Sequence, residues 1–150
     1  MIQKTPVIVV GNGLTAEVMC SALDYFNLKY TRLLQEIQYS TDARTTTINV
    51  ASQKMLSRLK LWSSLEDEKT AIKNILVSSN KFKTTCFEGE VDSYSINFSL
   101  NKKPMAWTVQ NSKLLEICRK QNSKSLSPVE IYNGTLKYLF DNNNITITDI

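Results

Sequence analysis

One hundred and fifty residues, 42% of them apolar, suffice for one buried core and place the chain in the single-domain size range. The chain contains no histidine, which excludes His-based triads, His-ligated metals and imidazole general bases at once. Its net charge of +4 comes from lysines scattered singly or in small groups such as Lys102-Lys103, without the clustered basic face that a nucleic-acid partner requires, so no nucleic acid is expected.

The most informative segment comes first. Val7-Ile8-Val9-Val10 are β-branched and run directly into Gly11-Asn12-Gly13-Leu14-Thr15-Ala16. This is the Gly-x-Gly-x-x-Ala pattern of a dinucleotide-binding strand–turn–helix. Gly11 allows the sharp turn out of a buried strand, and Gly13 lets a pyrophosphate approach the backbone. Ala16 keeps the helix close to the strand, and the helix N-terminus offers free N–H groups to the anion. A glycine-rich turn with no ligand is the alternative. The helix is predicted from Leu14 to about Phe26, with Leu14, Val18, Ala22 and Phe26 as its apolar stripe and Asn27 as its stop. A second strand follows at Tyr30–Glu36. Glu36 is the candidate for holding the ribose hydroxyls, although it lies 25 residues after Gly11 and also suits a solvated loop.

Further on, Thr45–Val50 reads as a strand, and Ala51 to about Leu59 as a helix capped by Ser52. Leu61-Trp62 then anchors the return. Strand-like runs are predicted at Ile72–Ser79, Lys81–Glu88, Ser93–Leu100 and Ala106–Val109, with Tyr94, Ile96, Phe98 and Leu100 on one side. A second amphipathic helix is expected over Ser112–Asn122, and three short strands at Val129–Tyr132, Leu136–Phe140 and Ile145–Thr148. A βαβ start followed by antiparallel runs predicts one α/β domain spanning residues 1–150, with the first strand central in a parallel sheet and an antiparallel layer added after residue 70. Cys20, Cys86 and Cys118 are odd in number and lie in apolar patterns, which reads as buried free thiols in a reducing cytoplasm. No apolar run reaches the roughly eighteen residues of a membrane span, and no export signal is evident, so the expected location is cytoplasmic.

At Asp42-Ala43-Arg44, Ala51-Ser52 and Leu59-Lys60-Leu61-Trp62, with Val109-Gln110-Asn111 opening a later helix, the order of features resembles the amino-terminal region of FAD-dependent aromatic hydroxylases. Within these it is most similar to the ubiquinone-biosynthesis hydroxylases. The resemblance implies a Rossmann-like FAD/NAD(P)-binding fold, incomplete relative to the family. It implies FAD as cofactor, NAD(P)H as electron donor, and hydroxylation of an aromatic ring. It places Gly11, Gly13 and Ala16 at the FAD pyrophosphate, Glu36 at the adenosine ribose, and Arg44 and Asn111 against the cofactor. Arg44 paired with Asp42 at the surface, and Asn111 as a helix cap, are the plainer readings of those two residues.

Several positions depart from the family pattern. Ala16 replaces the third glycine, Leu34 falls where the acid belongs, and Lys60 replaces a glycine before Leu61-Trp62. The chain stops at Ile150, before the segment whose aspartate would hold the flavin ribityl. The expectation is therefore an amino-terminal fragment, inactive alone, whose partner would be a separately encoded carboxy-terminal half. Peripheral membrane association stays open. The alternative is a non-catalytic nucleotide-binding or partner-binding remnant; a small NAD-dependent reductase ranks last, since no Tyr-x-x-x-Lys pair is present.

Overall fold

The computed structural model describes residues 5–35, 43–79, 94–101, 103–132, 134–141 and 144–149. The predicted strand Lys81–Glu88, Cys86, Glu36 and Asp42 lie outside the described residues. Strand β1 (Ile8–Val10) leads through the glycine turn into helix α1 (Leu14–Tyr25), and the chain returns in β2 (Thr31–Gln35). β1 and β2 pair in parallel, Val9 opposite Arg32, so the start is a βαβ unit. The expectation of a central β1 is corrected. The three-stranded parallel sheet has the order β1-β2-β8, where β8 is Val129–Tyr132. After the later helix the chain comes back along β2, with Leu33 opposite Glu130, and this makes β2 the middle strand.

A second sheet is antiparallel: β3 (Thr45–Asn49), β7 (Ala106–Gln110) and β4 (Lys69–Ile72), with β7 between the other two. The single strand expected at Ile72–Ser79 divides at Lys73. Its first part, as β4, joins β7, while β5 (Asn74–Ser79) pairs with β6 (Tyr94–Ser99) as a hairpin. β9 (Leu136–Asp141) and β10 (Asn144–Asp149) form another hairpin. The added antiparallel structure is therefore present, but it begins at β3 rather than after residue 70. The row Ile96, Phe98 and Leu100 is exposed rather than buried.

Helix α1 stops as anticipated at Asn27, which takes φ 54°. The Leu28 N–H bonds to Leu23 O at 2.9 Å and the Asn27 N–H to Asp24 O at 3.1 Å, the paired bonds of a Schellman stop. Helix α2 (Val50–Arg58) ends the same way at Lys60, φ 61°, with Leu61 N–H on Leu56 O at 3.0 Å. Lys60 thus occupies the left-handed position that suits glycine, which accounts physically for the residue expected there. The cap of α2 is Asn49, whose side chain accepts the Ser52 N–H at 2.8 Å, so Ser52 is the capped residue and not the cap. Phe26 falls after the end of α1 and is 66% exposed.

Two cores result. Ile48, Leu56, Leu59, Leu61, Leu65, Val109, Leu114 and Cys118 form one, with Leu14, Val18 and Ala22 of α1 packed against it. Leu61 and Leu65 are fully buried, and Trp62 meets Trp107 edge to face at 5.2 Å, so the Leu61-Trp62 anchor holds. Val9, Cys20, Leu23 and Tyr30 form the other, with Ala16 against them. Helix α1 therefore packs along two sides, and helix α3 (Asn111–Asn122) lies against it.

Two expected outcomes follow from this packing. Cys20 and Cys118 are buried free thiols. Burial pushes the Cys118 thiol up to about 12, with the Glu17 charge adding to it, and burial likewise raises Cys20. Alkylation requires the thiolate, so iodoacetamide at neutral pH should leave both unlabelled in the native protein and label both in urea, as read by peptide mass spectrometry. Lys60→Gly should raise stability by about 0.5–1 kcal/mol in urea unfolding, because glycine has no Cβ to strain at positive φ.

Candidate functional site

The turn after β1 is built from a backbone requirement. Gly11 has φ +119°, a conformation that side-chain-bearing residues rarely adopt, and its N–H bonds to Leu33 O at 3.0 Å. A Cβ on Gly11 would lie 3.9 Å from that of Ala16, an ordinary contact, so the glycine is needed for its backbone and not for space. Gly13 differs. It caps α1 in an extended conformation (φ −83°) and offers no side-chain cap. A Cβ there would meet nothing within 4 Å. The first bond of the helix is Glu17 N–H to Gly13 O at 3.1 Å, so the N–H groups of the preceding turn have no intrahelical partner. Open space over Gly13, beside donors without an intrahelical partner and the positive end of a helix, fits a diphosphate.

Asn12 is held from two directions. Its Nδ2 donates to Gln35 O at 2.8 Å, across the carboxyl ends of β1 and β2, while its backbone carbonyl accepts from Arg119 Nη2 at 3.3 Å. Asn12 Oδ1 is buried without a hydrogen-bond partner among the described residues.

Beneath the turn lies a buried charge cluster. Glu17 is 1% exposed and accepts from Arg32 Nη2 of β2 and, at 3.3 Å, from Arg119 Nε of α3. Its other oxygen accepts from Asn122 Nδ2 at 2.7 Å, and Asn122 Oδ1 in turn accepts from Ser21 Oγ at 2.7 Å. One carboxylate thus sits between two guanidinium groups near the N-terminal end of α1. In the sequence these residues are an acid between Ala16 and Val18 and an arginine inside the second strand, and no local pattern marks either for a role.

The other predicted site residues fall into a second group. Arg44 and Asn111 come together at one end of the β3–β7 pair, where Asn111 N–H bonds to Arg44 O at 3.0 Å. Asn111 is the first residue inside α3, and Gln110 is its cap, so the reading of Asn111 as an N-cap is corrected. Its side-chain oxygen instead accepts from Thr46 Oγ1. Arg44 is exposed at the start of β3. Helix α3 connects the two groups, with Asn111 at its first position and Arg119 two turns later. A cleft of about 770 Å³ lined by Pro6, Leu28, Tyr30, Lys124 and Pro128 opens at the opposite, amino-terminal end of the parallel strands. Ligands of such sheets bind at the carboxyl ends, so the glycine turn and not this cleft is the candidate site. Among the described residues no cluster of three metal-ligating side chains occurs, and no helix is long and apolar enough to cross a membrane.

No protein-family model and no curated protein matches this chain. Solved structures do. p-Nitrophenol 4-monooxygenase PnpA from Pseudomonas putida DLL-E4 superimposes with a TM-score of 0.71 at 12% identity over 98% of this chain and 36% of its own. The flavin-dependent monooxygenase PieE, solved with FAD and substrate, gives 0.65 at 14% identity over 97% of this chain and 27% of its own. The Diels-Alderase PyrE3 gives 0.68 at 11% identity over 95% and 28%. The fold is that of FAD-dependent monooxygenase structures. The chain spans between 27% and 36% of the length of these three.

The buried cluster makes a direct prediction. Glu17→Ala leaves the Arg32 guanidinium buried without its carboxylate, which should cost about 3–5 kcal/mol in urea unfolding. Glu116→Ala removes the exposed pair with Lys113 at 3.6 Å and should change stability by less than about 0.5 kcal/mol.

Proposed function

We propose that this chain forms the FAD-binding portion of a flavin-dependent monooxygenase, with the FAD pyrophosphate over the Gly11–Ala16 turn. The single observation that carries the reading is the turn itself: a positive-φ glycine, open space above Gly13 and uncapped helix N–H groups, at the carboxyl end of β1 in a monooxygenase-type fold. Gly11 and Gly13 present the backbone to the phosphates, and Ala16 seats α1 on the Val9 cluster. Arg44 and Asn111 face the cofactor from the β3–β7 end, where a guanidinium fork suits phosphate or flavin oxygens. Glu36 is kept as the ribose ligand on its sequence position after the glycine turn and on the family resemblance. Bound flavin would supply the oxygen-directed redox chemistry, while these residues place and orient it.

Hydroxylation of an aromatic ring, with NAD(P)H as electron donor and ubiquinone biosynthesis as the setting, is the finer form of the proposal. The ordered resemblance around Arg44, Leu61-Trp62 and Asn111 supports it, and so does PnpA, whose name specifies p-nitrophenol 4-monooxygenation. A cytoplasmic location belongs to the same reading. A non-catalytic nucleotide-binding module is the second reading. It is favoured by the Diels-Alderase among the matches, since one fold hosts different chemistries.

Gly13→Val tests the site. The structure accommodates the new side chain, because nothing lies within 4 Å of its Cβ, so circular dichroism should be unchanged. The side chain occupies the phosphate's space, and FAD affinity, read by flavin fluorescence titration, should fall by about tenfold or more, the worth of one hydrogen bond to a charged group. Equal affinity for FAD in the two proteins would remove the turn from the site.

A further inference from the structure

The glycine turn is held in place by a residue more than one hundred positions away. Arg119 places Nε on Glu17 Oε1 and Nη2 on the Asn12 carbonyl, both at 3.3 Å, so one guanidinium bridges a buried carboxylate and the backbone of the turn. A trans peptide is planar, and its C=O and N–H point in opposite directions. Fixing the Asn12 carbonyl inward therefore aims the Gly13 N–H outward, into the space where a Gly13 Cβ would find nothing within 4 Å. The Asn12 side chain is tied independently to Gln35 O at 2.8 Å. Rotation of this peptide thus opposes two hydrogen bonds to separate elements, α3 and β2.

We propose that Arg119 is a positioning residue for the phosphate-facing turn: anchored by Glu17, it holds the Asn12 carbonyl and presents the Gly13 N–H to a nucleotide diphosphate. The proposal rests on the reading of the turn as the pyrophosphate site. It requires a planar fork with two separate donor directions, which arginine has and lysine lacks. Arg119 is 30% exposed at its side chain, while Glu17 keeps Arg32 and Asn122 when Arg119 is removed. Loss of Arg119 therefore leaves the buried carboxylate compensated and the fold in place.

The test compares Arg119→Gln, Arg119→Lys and Lys120→Gln with the parent by amide NMR, free and titrated with ADP to millimolar concentration. Lys120 is the exposed neighbour of Arg119 on the same helix, so its substitution removes the same charge without touching the turn. In the free protein, both Arg119 variants should shift the Gly13 amide and lower its order parameter from about 0.85 towards about 0.6, while Lys120→Gln leaves it unchanged. ADP should bind Arg119→Gln about tenfold more weakly than the parent, as expected for one charge-assisted contact. Should Arg119→Gln not fold, Arg119→Lys carries the comparison. An unchanged Gly13 amide in the Arg119 variants would overturn the proposal, and so would an equal loss of ADP affinity in Lys120→Gln. If the Arg119 variants move the free Gly13 amide but ADP leaves the parent's turn unperturbed, the nucleotide reading fails while Arg119 remains the residue that orders the turn.

Discussion

The structure depends on neutralising one carboxylate. Glu17 lies in the first turn of α1 at 1% exposure, and an unpaired charge at that depth costs several kcal/mol. Its partners are three residues on two separate elements: Arg32 of β2, and Arg119 and Asn122 in the last turn of α3. Satisfying it therefore fixes how the βαβ unit meets the helix that follows the antiparallel sheet. The apolar contacts on either side of this seam, Leu14, Val18 and Ala22 towards one core and Ala16 and Cys20 towards the other, supply the area term. They carry little information about register, because apolar surfaces of similar size slide past one another at small cost. The polar seam between them supplies the specificity, since its hydrogen bonds close in one arrangement only.

Elements governed by local chemistry were legible in the sequence. The βαβ start, the stop at Asn27, the helix before Asn122 and the last two strands all rest on patterns contained within about a dozen residues. What was not legible depends on pairing between distant segments. Nothing near Val129 says that its strand will lie beside β2, which displaces β1 from the centre. Nothing near Lys73 says that the strand divides there between two partners, β7 and β6. The alternation of Ile96, Phe98 and Leu100 indicated a strand correctly but not what its apolar side would meet. Periodicity reports that a face is apolar, and only the tertiary arrangement decides whether anything covers it.

The candidate site divides along the same line. Gly11 is readable because it answers a local demand of backbone angle, whereas at Gly13 the space is open and the chain itself sets no demand for glycine. Lys60 is the instructive converse. A glycine was expected at that position, and the structure shows a left-handed helix stop that a lysine fills under mild strain. The pattern had registered a backbone conformation rather than a function. Arg119 carried no such local signal. Its role arises from a guanidinium reaching from α3 to a carbonyl on the other side of the α1–α3 contact, and a polar residue on an amphipathic helix is ordinarily read as solvated surface.

Helix α3 accordingly links the two groups of candidate residues. Its first residue, Asn111, is bonded through its backbone to Arg44, and Arg119 contacts the glycine turn. At 1.5 Å per residue, eight residues separate these points by about 12 Å along the helix axis. Leu114 and Cys118, between them in sequence, are buried in the principal core. A translation of α3 along its axis would disturb the Arg44–Asn111 bond, the core contacts and the Arg119 bridge together. The separation between the glycine turn and the Arg44 end is thus set by a packed helix rather than by the loops that carry the residues. Loops alone could offer the same chemical groups, but they could not hold them at one distance. A ligand that engages both ends would meet a spacing established before it arrives, which lowers the ordering cost of binding it.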